Sequence, residues 1–475
     1  MSANKSAYKV TGVGSSGAAD GAPGRAVDNS LVQDISLKEK IGYGLGDFAS
    51  QLLFAAASTF LSFFYTDVIG IAAAAVGTLL FIARVLDAFA DIGIGAMIDK
   101  TKSRHGKARP WLLWMAAPFA ASGLLLFTVP DAGPVVTMIY IYVTYLLMNF
   151  IYSAINVPYG VLNSLMTQDG YQRSVLNIFR MVLAVCGAIL VTYFTKPLVN
   201  VFGGGKIGWI WTFAIFGVLG MLVFLFTFAT TKERVKPSVV QKEIPFRRGL
   251  KALFRNKYWA LLLVFAIVFF ANNAMGSTMI VYYAQYMLDN VDLVGILGLA
   301  NLIPLLVAYF LLAPVIKRFG KRNAAMAGSV ILIAGSLVTA FKPDDLTFVI
   351  AGLVIKSMGT APIMGTFFAM LADTVEYGEW KTGMRTEGLV YSAGSFGTKA
   401  GSGFGAALVG WGLALGGYVG GQASLSASAL ASIQMLFIYV PILLSVLQLV
   451  ILWFYRLDKQ YNQIVKDLQT VRSDI

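Results

Sequence analysis

The sequence predicts an all-α membrane protein of about twelve spanning helices in two six-helix bundles, with both chain ends cytoplasmic. Three observations lead there. Apolar runs of about twenty residues recur from end to end, and each is long enough to cross roughly 30 Å of hydrocarbon as a helix. One strongly charged interior stretch, TKERVKPSVVQKEIPFRRGLKALFRNK, parts them into two groups of about six. Across the runs, loops rich in Lys and Arg alternate with loops that have few charges.

Composition excludes the main soluble classes. Of 475 residues 57% are hydrophobic and only 13% charged, and the mean hydropathy is +0.71. The net charge of +13 is what basic cytoplasmic loops produce, so no nucleic-acid partner is expected. A lone cysteine, Cys186, rules out an intramolecular disulfide. The single histidine, His105, lies in a basic loop and leaves a His-based metal site or a catalytic triad almost nothing to build on. No enzyme activity and no organic cofactor are expected.

Taken in order, residues 1–36 are rich in Gly, Ser and Ala with no apolar segment, which predicts a disordered tail. That tail lacks the apolar region of a signal peptide, so the first span is expected to serve as the insertion signal. A first bundle, 37–230, holds spans at about 41–66, 72–99, 109–130, 134–165, 174–198 and 207–230. A linker, 231–256, follows. The second bundle, 257–456, holds spans at about 257–288, 292–316, 322–341, 346–375, 387–416 and 427–456. In the tail 457–475, Leu457, Tyr461, Ile464, Leu468 and Val471 recur at helical spacing, predicting a short helix against the bundle.

Charge sets the orientation. KTKSRHGKAR, the central stretch, KRFGKR and both tails hold most of the Lys and Arg, while the other loops carry only Lys196, Lys206 and Lys342. The halves also echo one another. Gly106-Lys107 is answered by Gly320-Lys321, and Pro158, Met166 and Asp169 recur at the same spacing as Pro362, Met370 and Asp373. Such a repeat is the arrangement of secondary transporters, whose site lies between halves.

A small set of charges remains inside the spans: Asp47, Arg84, Asp87, Asp91, Arg180, Lys356 and Lys399. Ionisable groups at membrane depth cost roughly 2.5–3.5 kcal/mol each on insertion scales, so they face an interior or a water-filled path. Arg84, Asp87 and Asp91 lie on one helix face in the run FIARVLDAFADIGIGAMIDK. Two carboxylates one turn apart, about 5–6 Å, repel unless one takes a proton or a cation lies between them. Asp87 and Asp91 are therefore candidate ligands for Na+ or H+. The competing reading is a fixed lattice, Arg84 to Asp87 and Lys399 to Asp91, that only holds helices together. Tyr152, Ser153, Asn156 and Tyr159 form a polar and aromatic cluster suited to a neutral sugar, or simply to helix packing. Arg180 and Lys356 would suit an acidic sugar if both face the cavity.

At these residues a family resemblance emerges. YGLGDFASQ, ARVLDAFADIGIGAMIDKTKSRHGKARPW, NVPYGVLNSLM and ADTVEYGEWKTGMRTEG together resemble the glycoside–pentoside–hexuronide:cation symporters, over about Leu37 to Tyr455. The resemblance implies the major facilitator fold and cation-coupled sugar transport in the cytoplasmic (inner) membrane. It places cation carboxylates on Asp87 and Asp91, a cation-site lysine on Lys399 and a sugar-pocket arginine on Arg180. Where the family's melibiose carriers use two carboxylates and two tryptophans for the sugar, this chain has Gln51, Asn156, Gly160 and Met364. A pentoside, β-glycoside or hexuronide is thus expected rather than an α-galactoside.

The expected cation site is Asp87, Asp91 and Lys399 with Asp47, and the expected sugar contacts are Gln51, Tyr152, Asn156, Arg180 and Lys356. Arg104 and Lys107 on one basic loop, the loop 317–322, Arg173, and the acids Asp169, Asp373, Glu376 and Glu379 are expected to form a cytoplasmic gate that holds the outward-open form. The expected partners are a small sugar or glycoside and the lipid bilayer, with a monomer as the working unit. A lysolipid carrier of the same fold and a polytopic membrane enzyme are the competing classes; the polar cluster at Tyr152 to Asn156 argues against the first, and the scatter of acids against the second.

Overall fold

The computed structural model describes residues 35–167, 170–235, 246–384, 387–422 and 424–473, all of them helix or short connection with no strand among them. Nearly all of the expected tail 1–36, the middle of the linker and the gate residue Asp169 lie outside the described residues.

Helix α1 (Leu37–Ala56) starts at Ser36, whose hydroxyl accepts from the Glu39 amide, and runs on through π-helical turns at Ala57–Leu61 and Phe64–Val68. It is followed by α2 (Ala73–Lys100), α3 (Arg109–Phe127), α4 (Pro134–Met166), α5 (Gly170–Val201) and α6 (Gly205–Thr230). A short basic helix, α7 (Phe246–Phe254), precedes α8 (Lys257–Tyr286), α9 (Val294–Phe319), α10 (Lys321–Phe341), α11 (Leu346–Thr382) and α12 (Glu387–Leu415). Helix α13 (Ala427–Gln434) passes through a π turn, Met435–Tyr439, into α14 (Val440–Phe454), and α15 (Asp458–Ser473) ends the chain. Prolines 110 and 134 stand in the first turn of α3 and α4, where no amide hydrogen is missed.

Among the described residues, ten helices are long and apolar enough to cross a membrane. The α1 run and α12 stand where the first and eleventh spans are expected, and they carry Asp47 and Lys399. Side chains such as Ile139, Val143, Leu222, Phe310 and Leu443 are exposed along the spans, as lipid-facing positions require.

In the first half α1 packs on α5 and α6, α3 on α4 and α6, and α2 on α4. In the second half α8 packs on α12 and α14, α10 on α11 and α14, and α9 on α11. The halves meet where α2 lies along α12, α5 along α9, and the first π turn against α8. Small residues permit the closest approach: a Cβ at Gly77 would lie 2.9 Å from the Gly410 Cα.

The duplication read from short motifs is also visible in the contacts. Gly106 and Gly320 both take positive φ, and each precedes a helix start, Arg109 of α3 and Lys321 of α10. Glu233, just past α6, accepts from the amides of Lys107, Ala108 and Arg109, all at 2.8 Å. Asp458, just past α14, accepts from the Arg322 amide at 3.2 Å. Arg109 donates to the Phe228 carbonyl in the last turns of α6 at 2.7 Å, and Arg322 to the Leu452 carbonyl in α14 at 2.7 Å. Each half thus ties a basic turn to the end of its own last long helix. We call this end of the molecule the basic face.

Beneath it, α15 and the turn before it bury Ile464 and Leu457 and pack Leu468 against the second half. Its Tyr461 ring lies 5.4 Å from the Lys321 ammonium.

Candidate functional site

The acidic face of α2 meets α12 at Lys399. The Lys399 ammonium lies 2.8 Å from Asp87 Oδ2 and 2.6 Å from Asp91 Oδ2, so one lysine of the second half bridges both carboxylates of the first. Ser153 of α4 donates to Asp87 Oδ1 at 2.6 Å. Arg84 lies 3.8 Å from Asp87 and places its guanidinium 4.9 Å over the Phe54 ring. The Asp87 side chain is fully buried, whereas Asp91 keeps 24% of its side-chain surface. Asp91 Oδ1 is buried with no hydrogen-bond partner. Both pairs of the expected lattice are therefore formed, yet one carboxylate oxygen is left with unused acceptor capacity.

Asp47 is elsewhere. It was expected to adjust the cation site; instead its Oδ2 lies 2.5 Å from Arg180 Nε, and its Oδ1 accepts from the same guanidinium at 3.4 Å. The reason is the packing of α1 on α5, which gives a buried guanidinium its carboxylate partner from the adjoining helix. Arg180 also covers the Tyr159 ring at 4.8 Å, and Tyr159 donates to the Tyr43 carbonyl at 2.6 Å.

The other expected sugar contacts gather on the first half. Asn156 accepts from Ser50 at 2.8 Å and donates to the Tyr152 carbonyl at 3.0 Å. The Tyr152 ring stacks on Phe54 with centroids 5.3 Å apart. Tyr152 stands within electrostatic reach of Asp47, Arg84, Asp87 and Arg180 alike, so it joins the two charged groups. Gln51, half-buried on α1, packs its Cβ beside Gly187 of α5. Lys356 is not among these residues. It lies in the second half, where its ammonium donates to the Phe437 carbonyl at 3.3 Å and faces the Phe437 ring at 5.0 Å.

Opposite the basic face the halves are sealed. Asp67, at the end of the first run, accepts from the hydroxyls of Tyr286 and Tyr418 of the second half, the latter at 2.7 Å, and from the Gly421 amide at 3.3 Å. The Tyr282 hydroxyl bonds to Thr66 at 2.9 Å and Ser62 at 3.0 Å. Thr278 donates to the Ser58 carbonyl at 2.9 Å. Burial pushes the Tyr418 phenol well above its ordinary range, and the Asp67 carboxylate pushes it further, so it stays a proton donor. On the basic-face side of Asp91, the Cβ positions of Gly93 and Gly95 on α2 have nothing within 4 Å.

The two halves thus share ion pairs at Lys399 and hydrogen bonds at Asp67. The MFS/sugar transport protein family matches residues 42–459. The chain belongs to that family.

Membership makes this MFS/sugar transport protein a multi-pass membrane transporter and not an enzyme. It is 39% identical to the isoprimeverose transporter of Lactiplantibacillus pentosus over 438 residues, 91% of each chain. It is 32% identical to a glucuronide carrier protein homolog of Escherichia coli (strain K12) over 442 residues, 92% of this chain and 96% of that one. Its fold is similar to that of a proton dependent oligopeptide transporter, with a TM-score of 0.65 at 16% identity, covering 89% of this chain and 99% of that one.

In this sugar transport protein one expected gate contact is formed, that of the loop 317–322 with Asp373, while Arg104 and Arg173 donate elsewhere. Lys321 pairs with Asp373 at 2.7 Å inside the second half, and Arg234 with Glu39 at 2.7 Å inside the first. Arg173 donates to the Thr167 and Ser164 carbonyls, and Arg104 to the His105 ring. The backbone of the Lys107 turn is taken by Glu233. Glu376 and Glu379 both have partners. Sequence reasoning missed Glu233, and it missed Asp67 with its tyrosines. The signal for the second group was present: YTD closes one apolar run and YYAQY closes another, polar ends at equivalent depth.

Proposed function

We propose that this chain is a symporter, carrying a glycoside together with Na+ or H+ by alternating access to a midplane site. The observation that carries the reading is the sharing of one lysine by Asp87 and Asp91, with Asp91 Oδ1 buried and unpartnered. Lys399 acts as a tethered cation. Where its ammonium withdraws, two carboxylates and the Ser153 hydroxyl remain, an all-oxygen donor set suited to a hard monovalent ion or to a proton shared between acids. Because the lysine belongs to the second half and the acids to the first, ion entry that frees Lys399 removes a tie between the halves. That is the differential interaction that coupling requires.

Gln51, Tyr152, Asn156 and Arg180 form the sugar wall of the first half, with hydroxyl, amide and guanidinium donors beside an aromatic face. Asp47 holds the Arg180 fork in place and offers acceptors of its own to sugar hydroxyls. The isoprimeverose transporter and the glucuronide carrier homolog among the relatives support a glycoside of this class. With the basic face in the cytoplasm, the seal at Asp67 makes this the inward-facing state.

The test is uptake into proteoliposomes of the full chain, with a panel of pentosides, β-glycosides and uronides, under an imposed Na+ or pH gradient. Accumulation of a glycoside that collapses when the gradient is dissipated is the expected result. Equal uptake with and without any ion gradient would remove the symport reading.

A further inference from the structure

Lys356 is the odd charge of the membrane interior. Asp47 is matched by Arg180, and Asp87 and Asp91 are matched by Lys399 and Arg84. Lys356 has no carboxylate within 4 Å among the described residues; its ammonium has one carbonyl, that of Phe437, and one ring. It stands ten residues into α11, about 15 Å from that helix's outer end and so near the middle of a hydrocarbon core of about 30 Å. A solitary ammonium at that depth is costly, and a fold keeps it when something else supplies the counter-charge.

The surroundings are built for such a ligand. Lys356 lines a cavity of about 50 Å³ together with Asn273, Gly276 and Ser277 of α8, Asn301 of α9 and Thr360 of α11. The side-chain amides of Asn273 and Asn301 line it beside the ammonium, and the hydroxyls of Ser277 and Thr360, which donate to the Asn273 and Lys356 carbonyls at 3.2 and 3.1 Å, complete the polar lining. A Cβ at Gly276 would meet nothing within 4 Å, so the wall is open there. The Phe437 carbonyl that orients Lys356 belongs to the π-helical turn Met435–Tyr439, a local departure that shifts backbone groups out of the regular ladder. Thr278, the residue after Ser277, is tied to Ser58 in the seal, so the cavity lies just on the basic-face side of the closed contact.

Size decides what fits. One water needs roughly 10–15 Å³ on this measure, so about 50 Å³ admits three to five water-sized groups. That is room for a carboxylate and its hydrogen-bonding neighbours. Charge points the same way. The seven charges within the spans sum to +1, the excess residing on Lys356, and a cation entering together with a carboxylate leaves that sum unchanged.

We infer that the second half carries an anion subsite centred on Lys356, with Asn273, Ser277, Asn301 and Thr360 around it, which takes the carboxylate of an acidic glycoside. The substrate class is then a hexuronide, its sugar ring held by the first half and its acid group reaching into the second. The inference rests on the symporter reading above.

The test compares phenyl β-glucuronide, its uncharged methyl ester and phenyl β-xyloside as competitors and as transported substrates in proteoliposomes of the full chain. Wild type should prefer the acid over its ester by about tenfold or more. K356Q should weaken the acid by roughly ten- to hundredfold, the span of one hydrogen bond to a charged group, and leave the ester and the xyloside within about twofold. K356R should recover part of the preference. Equal affinity of acid and ester in wild type overturns the subsite, as does a K356Q variant that weakens all three ligands alike. Should K356Q fail to assemble, the wild-type comparison of acid with ester decides alone. Ion-driven uptake of the xyloside without any preference for the acid defeats the subsite and leaves the symporter standing; no ion-driven uptake of any glycoside defeats both.

Discussion

Replacing Asp67 by Asn tests whether the tyrosine cluster holds the outer face shut. Asp67 accepts from Tyr286, Tyr418 and the Gly421 amide, all in the second half. Hydrogen bonds to a charged acceptor contribute about 1.5–3 kcal/mol and those to a neutral one about 0.5–1.5 kcal/mol, so each tyrosine contact weakens by about 1 kcal/mol. Two such contacts give about 2 kcal/mol, a shift of roughly thirtyfold in the balance between closed and open outer face. Ser58, whose carbonyl takes the Thr278 hydroxyl, lies below the seal and reports on it. In a background without Cys186, Ser58→Cys should react with a membrane-impermeant thiol reagent applied from the outer face, and D67N should raise the rate roughly in proportion. A rate unchanged by D67N, in protein that still melts cooperatively, would show that the cluster is only a surface contact.

D87N and D91N should each abolish ion-driven accumulation while exchange down a glycoside gradient persists, read as counterflow against net uptake; full accumulation in both variants contradicts the coupling role. Gly77→Val inserts a branched side chain where a Cβ alone would lie 2.9 Å from the Gly410 Cα. Overpacking of that kind costs about 1–3 kcal/mol, so the variant should hold α2 and α12 apart and raise Ser58→Cys labelling from the outer face. Glu233→Gln removes a carboxylate that accepts three amides at the start of α3, and should lower stability in detergent by about 1–2 kcal/mol without altering the ion dependence of uptake.

Much of the fold was legible because spanning a bilayer is a local demand. Run length and hydropathy specify the helices, and the expected span 134–165 is found at Pro134–Met166, 322–341 at Lys321–Phe341. Where the helices run past expectation, as in α11 to Thr382, the extra turns carry Tyr377, Trp380 and Lys381 beyond the apolar stretch. Asp87 and Asp91 were also legible, since helical spacing alone places them on one face.

Which charge answers which was legible only in part: the pairs Arg84–Asp87 and Lys399–Asp91 were named as one reading, whereas the partner of Asp47 was not. Asp47 was assigned to the cation site because it is an acid at membrane depth, and the packing of α1 on α5 gave it to Arg180, 133 residues away. Lys399 reaches Asp87 across 312 residues and from the other half of the molecule. The turn at Gly106 reads as a gate in sequence, and in three dimensions Glu233 of the same half holds it.

By itself the sequence determined how many apolar runs there are, which charges interrupt them and that the two halves repeat. Those properties depend only on neighbours along the chain. Tertiary structure alone decided the pairing of Asp47, the second contact of Lys399 to Asp87, the clamp on Asp67 and the isolation of Lys356, because charges in a low-dielectric interior take whatever partner helix packing brings within a few ångströms.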